Sequence, residues 1–169
     1  MGMKLHPKYC SYFAMLVKAL EKVPGDVLEM GTGPNSTFFL HWLCLDQGRQ
    51  LCSYENSEPY YKIAKVCESP AHKVFFVEDW DEIDIERPWG IALLDHAPAI
   101  RRKDDARRLA QYAQCILLHD SQGRARKHYH YEELYPLFRY IYGYGKARPH
   151  TLAVSNFVDV RTWANRHLG

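Results

Sequence analysis

Three stretches of this chain carry residues that can do chemistry at a spacing that matters: the turn near Gly31, the acid at Glu55, and the Asp-His and His-Asp pairs further on. Val27 to Thr37 reads Val-Leu-Glu-Met-Gly-Thr-Gly-Pro-Asn-Ser-Thr, a short apolar run that enters a glycine-rich turn and leaves it into an apolar segment of helical length. A strand-to-helix turn of this kind lets a ligand approach the backbone, because Gly31 and Gly33 lack the Cβ atoms that would stand in its way. A dinucleotide site would want a third glycine where Ser36 stands, and a pyrophosphate would be repelled by Glu29. Glu29 suits a cationic ligand group instead, while Ser36, Thr37 and the helix N-terminus suit an anionic one. Glu55 lies 22 positions beyond Gly33, near the spacing of about 20 at which an acidic residue meets a ribose diol. Further on, Asp95-His96 and His119-Asp120 each follow an apolar run. Such residues can orient a donor, hold a metal or accept a proton, and a histidine with a pKa near 6.5 is suited to act as a general base.

Alternating elements must position these groups. Phe13, Leu16, Val17 and Leu20 fall at i, i+3, i+4 and i+7 and predict an amphipathic helix between His6 and Val23. Strands are expected at 26–30, 50–55, 73–77, 91–95 and 115–119, with helices at 36–47, 59–68 and about 100–113 between them. An aromatic helix is expected around Glu132 to Tyr142, then a β-rich tail from Thr151 to Val160. Strands separated by helix-length segments imply parallel pairing with right-handed crossovers, a doubly wound α/β sandwich. With 169 residues, 47% of them hydrophobic, one domain over 1–169 is expected: an N-terminal helix within 1–23 and a core over 24–169.

At Glu29-Met30-Gly31-Thr32-Gly33 and Tyr54-Glu55 the chain resembles the class I S-adenosylmethionine-dependent methyltransferases, and the resemblance spans most of its length. It implies a Rossmann-like, mostly parallel sheet in the order 3-2-1-4-5-7-6 within one three-layer domain. It also implies S-adenosylmethionine as cofactor, its α-amino group meeting Glu29. The binding set is Glu29, Gly31, Thr32, Gly33, Ser36, Thr37, Tyr54, Glu55, Asn56, Asp79, Trp80 and Asp95, with Asp79 at the adenine edge and Trp80 or Tyr54 on its ring. The pattern Asp95-His96, Asp104-Asp105, His119-Asp120 is similar to small-molecule O-methyltransferases of the catechol and macrolide-sugar kind, in which acids at these strand ends can hold magnesium. Asp95 and Asp120 are the metal candidates on that likeness, and Asp95, His96, His119 and Asp120 the catalytic candidates. The chain departs from the pattern in having His-Ala-Pro after Asp95, where a glycine is common, and His119 where many members have an acid.

The expected acceptor is a small polar molecule offering a hydroxyl, in a pocket built from the N-terminal helix and the loop Ser121 to Tyr131. A nucleic-acid acceptor is the rival. Against it, Asp95-His96-Ala97-Pro98 lacks the Pro-Pro-aromatic turn of amino-methylating enzymes, a Pro-Cys nucleophile is absent, and the net charge is only +2. A non-catalytic cofactor-binding protein is a third reading. Arg101, Arg102, Lys103, Arg107 and Arg108 mix with Asp104 and Asp105, as on a solvated helix face. Arg124, Arg126, Lys127, His128 and His130 follow the fifth strand and are better placed to meet a phosphate or carboxylate. The tyrosine-rich stretch from Tyr129 to Tyr144 reads as core and subunit contact, which makes a homo-oligomer conceivable. Five cysteines without Cys-x-x-Cys spacing read as reduced thiols, and no apolar stretch approaches membrane-span length. A soluble cytoplasmic protein is expected.

Overall fold

The computed structural model describes residues 10–164. Seven strands, β1 (Val27–Met30), β2 (Leu51–Glu55), β3 (His72–Phe76), β4 (Trp89–Leu94), β5 (Ala113–Leu118), β6 (Tyr140–Tyr144) and β7 (Thr151–Ser155), form one sheet in the order β3-β2-β1-β4-β5-β7-β6. The first five pair in parallel, while β7 runs antiparallel to both β5 and β6. This is the expected topology. The helices are α1 (Phe13–Lys22), α2 (Ser36–Asp46), α3 (Glu58–Ala64), α4 (Arg102–Leu109) and α5 (Gly123–His128).

Strand alternation builds two cores, because successive side chains point to opposite faces. Val27, Leu51, Ile91, Leu93, Cys115, Leu117 and Ala153 pack on one face with Met15, Leu16, Ala19 and Leu20 of α1 and Leu40 and Cys44 of α2. Leu28, Met30, Ala92, Leu94, Ile116, Leu118 and Leu152 pack on the other with Ala106 and Leu109 of α4. None of the five cysteines is in a disulfide, and four are buried. Among the described residues no helix is long and apolar enough to cross a membrane.

The structure corrects the expected elements in several places. Of the stripe on α1, Val17 is exposed, and Met15 and Ala19 are buried in its stead; residues 6–9 of the expected helix lie outside the described residues. The expected helix over 132–142 is a 3-10 segment, Tyr131–Leu137, followed by β6. Pro136 lies inside that segment; it lacks an N–H and disfavours a helical residue before it. Tyr140, Tyr142 and Tyr144 then alternate along a strand. The tail strand stops at Ser155, and Val160–Trp163 is a 3-10 turn. The expected loop from Ser121 to Tyr131 contains α5. Within α4, Arg102 and Asp105 are buried, not solvated.

Candidate functional site at the carboxyl edge of the sheet

The turn after β1 is held from below. Glu29 faces α2 and has no solvent exposure. Its carboxylate accepts from Thr37 Oγ1 at 3.0 and 3.1 Å and from Ser53 Oγ at 2.6 Å, and Thr37 Oγ1 in turn accepts from the Gly33 N–H at 3.0 Å. Burial pushes the Glu29 carboxyl up to about 7, with hydrogen bonds from Ser36, Ser53 and Thr37 pulling against it. The two glycines do different work. Gly31 has φ +88°, and a Cβ there would stand 2.4 Å from the His96 backbone nitrogen, so it is required by the crossing of the chain after β4. A Cβ on Gly33 would meet only Ser36 Oγ, at 3.9 Å. The space above Gly33 is open.

Glu55 is the second anchor. One carboxylate oxygen accepts from the Thr32 N–H at 2.6 Å and the Thr32 hydroxyl at 3.1 Å, and the other from the Ser57 N–H at 2.7 Å. The turns after β1 and β2 are thereby tied together. Beside them, Asn56 Nδ2 and Trp80 Nε1 both donate to the Ala97 carbonyl at 2.9 Å. Trp80 is buried, its ring 4.4 Å from that of His96. Tyr54 is half-buried and stacked on Phe75. Asp79 is exposed, and its carboxylate accepts from the Asp81 N–H.

The ends of β4 and β5 carry the remaining candidates. The alternation that sends Leu93 toward α1 sends Asp95 the same way and His96 to the opposite face. Asp95 Oδ1 lies 3.0 Å from His119 Nδ1, and His119 Nε2 lies 3.0 Å from Ser11 Oγ. The Tyr12 ring meets the His119 imidazole edge-on at 4.9 Å. A carboxylate only accepts, so in the neutral imidazole the proton sits on Nδ1 and Nε2 turns its lone pair toward Ser11. His96 is separated from this pair. It is 1% exposed, with Nε2 in ion-pair contact with Asp105 at 2.9 Å, and burial lowers its pKa. Asp120, in a left-handed backbone conformation with φ 57°, is 3.8 Å from His119 Nδ1.

At the centre of this edge stands Arg102, which the sequence did not single out. Its guanidinium donates to the carbonyls of Asp95, His96 and His119 and contacts the carboxylates of Asp95 and Asp120. A signal for it was present, because Arg102, Asp105, Ala106 and Leu109 are spaced i, i+3, i+4 and i+7 and form the buried face of α4. No local signal marked Ser11 or Tyr12, which reach His119 from more than 100 positions away.

No protein-family model matches this chain, and no curated protein matches it in sequence. Solved structures do. The methyltransferase domain of METTL16 superposes with a TM-score of 0.66 at 15% identity, over 94% of this chain and 71% of that one. The O-methyltransferase from Bacillus cereus in complex with S-adenosylhomocysteine gives 0.62 at 16%, over 92% and 84%. The tRNA (m1A58) methyltransferase TrmI from Aquifex aeolicus gives 0.58 at 12%, over 90% and 70%. Together with the strand order and the turn after β1, these likenesses show that the chain has the Rossmann-like fold of the class I S-adenosylmethionine-dependent methyltransferases.

Proposed function

We propose that this chain is an S-adenosylmethionine-dependent methyltransferase that methylates a hydroxyl oxygen of a small polar acceptor. The fold and the open face above Gly33 fit the cofactor, and the turns after β1 and β2 are joined by Glu55, whose position at the end of β2 suits a ribose diol. In this reading the Gly33 turn and the N-terminus of α2 receive the amino-acid end, Glu55 the ribose, and the segment from Tyr54 to Asn56 the adenine side. Glu29 acts from beneath the turn, by holding Thr37 against the Gly33 N–H. When bound, the cofactor supplies a sulfonium methyl group to an oxygen lone pair.

The observation that carries the acceptor chemistry is the Asp95–His119–Ser11 chain. Asp95 fixes the imidazole with Nε2 basic, so His119 takes the acceptor's proton, directly or through the Ser11 hydroxyl, as the oxygen gains its methyl group. The oxygen thus loses a proton and gains a methyl, and the positive charge leaving the donor appears on the imidazolium beside Asp95. His96, shut behind Trp80 and Asp105, has no part in this step.

The test has two stages. S-adenosylhomocysteine at 100 times its dissociation constant should add about 2.7 kcal/mol of stability, visible as a raised melting temperature. Labelled methyl transfer to hydroxylated small molecules should then fall about 10²- to 10⁴-fold in His119→Ala, the usual worth of a general base, with the melting shift intact. Full turnover in that variant defeats the base assignment, and the absence of any shift with the homocysteine product defeats the cofactor reading. A second reading, nucleic-acid methylation, is favoured by four exposed cations near the same edge: Arg124 and Lys127 in α5 and Lys146 and Arg148 between β6 and β7.

A further inference from the structure

Asp95, His119 and Asp120 each place one ligand atom within 4.8 Å of the others, a set that by residue type alone would hold a divalent cation. The surroundings do not fit one. Arg102 is 5% exposed, and all three of its guanidinium nitrogens have acceptors. Nε meets the His96 carbonyl at 2.9 Å, Nη2 the Asp95 carbonyl at 2.8 Å and Asp95 Oδ1 at 3.0 Å, and Nη1 the His119 carbonyl and Asp120 Oδ2, both at 3.4 Å. Tyr131 Oη adds a hydrogen bond to the His119 carbonyl at 3.1 Å.

We propose that Arg102 is a positioning residue that takes the place of a metal ion at this edge, so that the site works without a divalent cation. A metal ion between two carboxylates neutralises their charge and fixes their geometry. The guanidinium does both here, since it contacts both carboxylates and also pins the three carbonyls that end β4 and β5. A divalent ion entering the same space would have to compete with Arg102 for Asp95 Oδ1 and Asp120 Oδ2 while lying against its fixed positive charge. It would also have to take His119 Nδ1, whose proton goes to Asp95. The imidazole is thereby kept for proton transfer. The proposed methyl transfer supplies the catalytic consequence, but the exclusion of metal rests on the geometry of the edge alone.

Manganese is the probe, because it takes the oxygen ligands magnesium takes and can be followed by paramagnetic resonance. The wild-type chain should bind no Mn²⁺ at this site below millimolar concentration and show no Mn²⁺-dependent rise in melting temperature. Arg102→Met removes the guanidinium and leaves two carboxylates and an imidazole, so it should bind one Mn²⁺ at least tenfold more tightly than wild type and lose that gain when Asp95→Asn is added. One Mn²⁺ bound tightly by the wild-type chain, and lost in Asp95→Asn or Asp120→Asn, overturns the proposal whether or not the Arg102 variant folds. So does a folded Arg102→Met that gains no Mn²⁺. The melting shift with S-adenosylhomocysteine is measured without metal, so failure here is distinct from failure of the cofactor reading.

Discussion

Glu29 and Asp105 are both carboxylates without solvent exposure, one beneath the turn after β1 and the other beneath the end of β4, yet their pKa values are shifted in opposite directions. Glu29 is met by hydroxyl groups only, and burial drives its pKa up to about 7. Asp105 meets burial of the same kind, but His96, Arg101 and Arg108 surround it and its pKa is lowered. The pKa of a buried carboxylate therefore follows its partners: Glu29 is met by the hydroxyls of Thr37 and Ser53, and Asp105 by the His96 imidazole and the guanidinium groups of Arg101 and Arg108.

The largest expected effect tests the turn itself. In Gly31→Ala a Cβ would overlap backbone after β4 at a residue with positive φ. Clash and backbone strain together should cost about 2–6 kcal/mol, read as a fall in the urea midpoint. Gly33→Ala should leave stability within about 0.5 kcal/mol, yet remove the melting shift with S-adenosylhomocysteine. Equal stability losses in the two variants would break the division between a glycine needed by the chain and a glycine needed by the ligand.

A smaller effect sharpens the electrostatic comparison. A folded-state carboxyl pKa above its unfolded value means that folding favours the protonated form. Glu29 therefore costs little at and below pH 4.5 and costs progressively more until pH passes about 7. Between pH 5 and 8 the wild type should lose roughly 2–3 kcal/mol relative to Glu29→Gln in urea unfolding. His72 acts in the opposite direction: burial lowers its pKa to about 4, so its contribution is lost as pH falls from 6.5 toward 4. Because His72 Nε2 reaches Ser53 Oγ, the donor to Glu29, the two are coupled at low pH, and the part of the difference that develops above pH 6.5, where His72 is neutral, belongs to Glu29. A flat difference across this range would mean that Glu29 is already stabilised as an anion.

The same contrast explains what could be read in advance. The glycine turn, Glu55 and the strand order are written in local patterns: apolar runs of strand length, a Gly-x-Gly turn, and an acid at a set distance. Asp95 and His96 were taken together because they are adjacent, although a period of two places them on opposite faces of the sheet. Arg102 was hidden among five basic residues, although only it and Asp105 among the charged groups of α4 fall in phase with Ala106 and Leu109. Ser11 had no signal, because its partnership with His119 exists only once α1 packs across the sheet. Tyr140 to Tyr144 alternated visibly, and aromatic density outweighed that period in the helix reading.

The smallest expected effect concerns the exposed cations, and it separates the two acceptor classes. Arg124, Lys127, Lys146 and Arg148 are exposed, so replacing them by alanine should leave the melting temperature nearly unchanged. If the acceptor is a small polar molecule, RNA and DNA should bind weakly and the quadruple variant should keep its turnover. If it is a nucleic acid, each phosphate contact releases counterions, and log K should fall with log salt at a slope near −0.9 per contact for duplex DNA and about −0.7 for a single strand. Four lost contacts would then flatten that slope by about 3 units. Binding of RNA or DNA in the wild type at low and moderate salt, repeated in the variant, reads this directly. A steep slope that disappears with these four side chains would move the acceptor from a small hydroxyl compound to a polyanion, while leaving the Asp95–His119 pair and Arg102 in place beneath it.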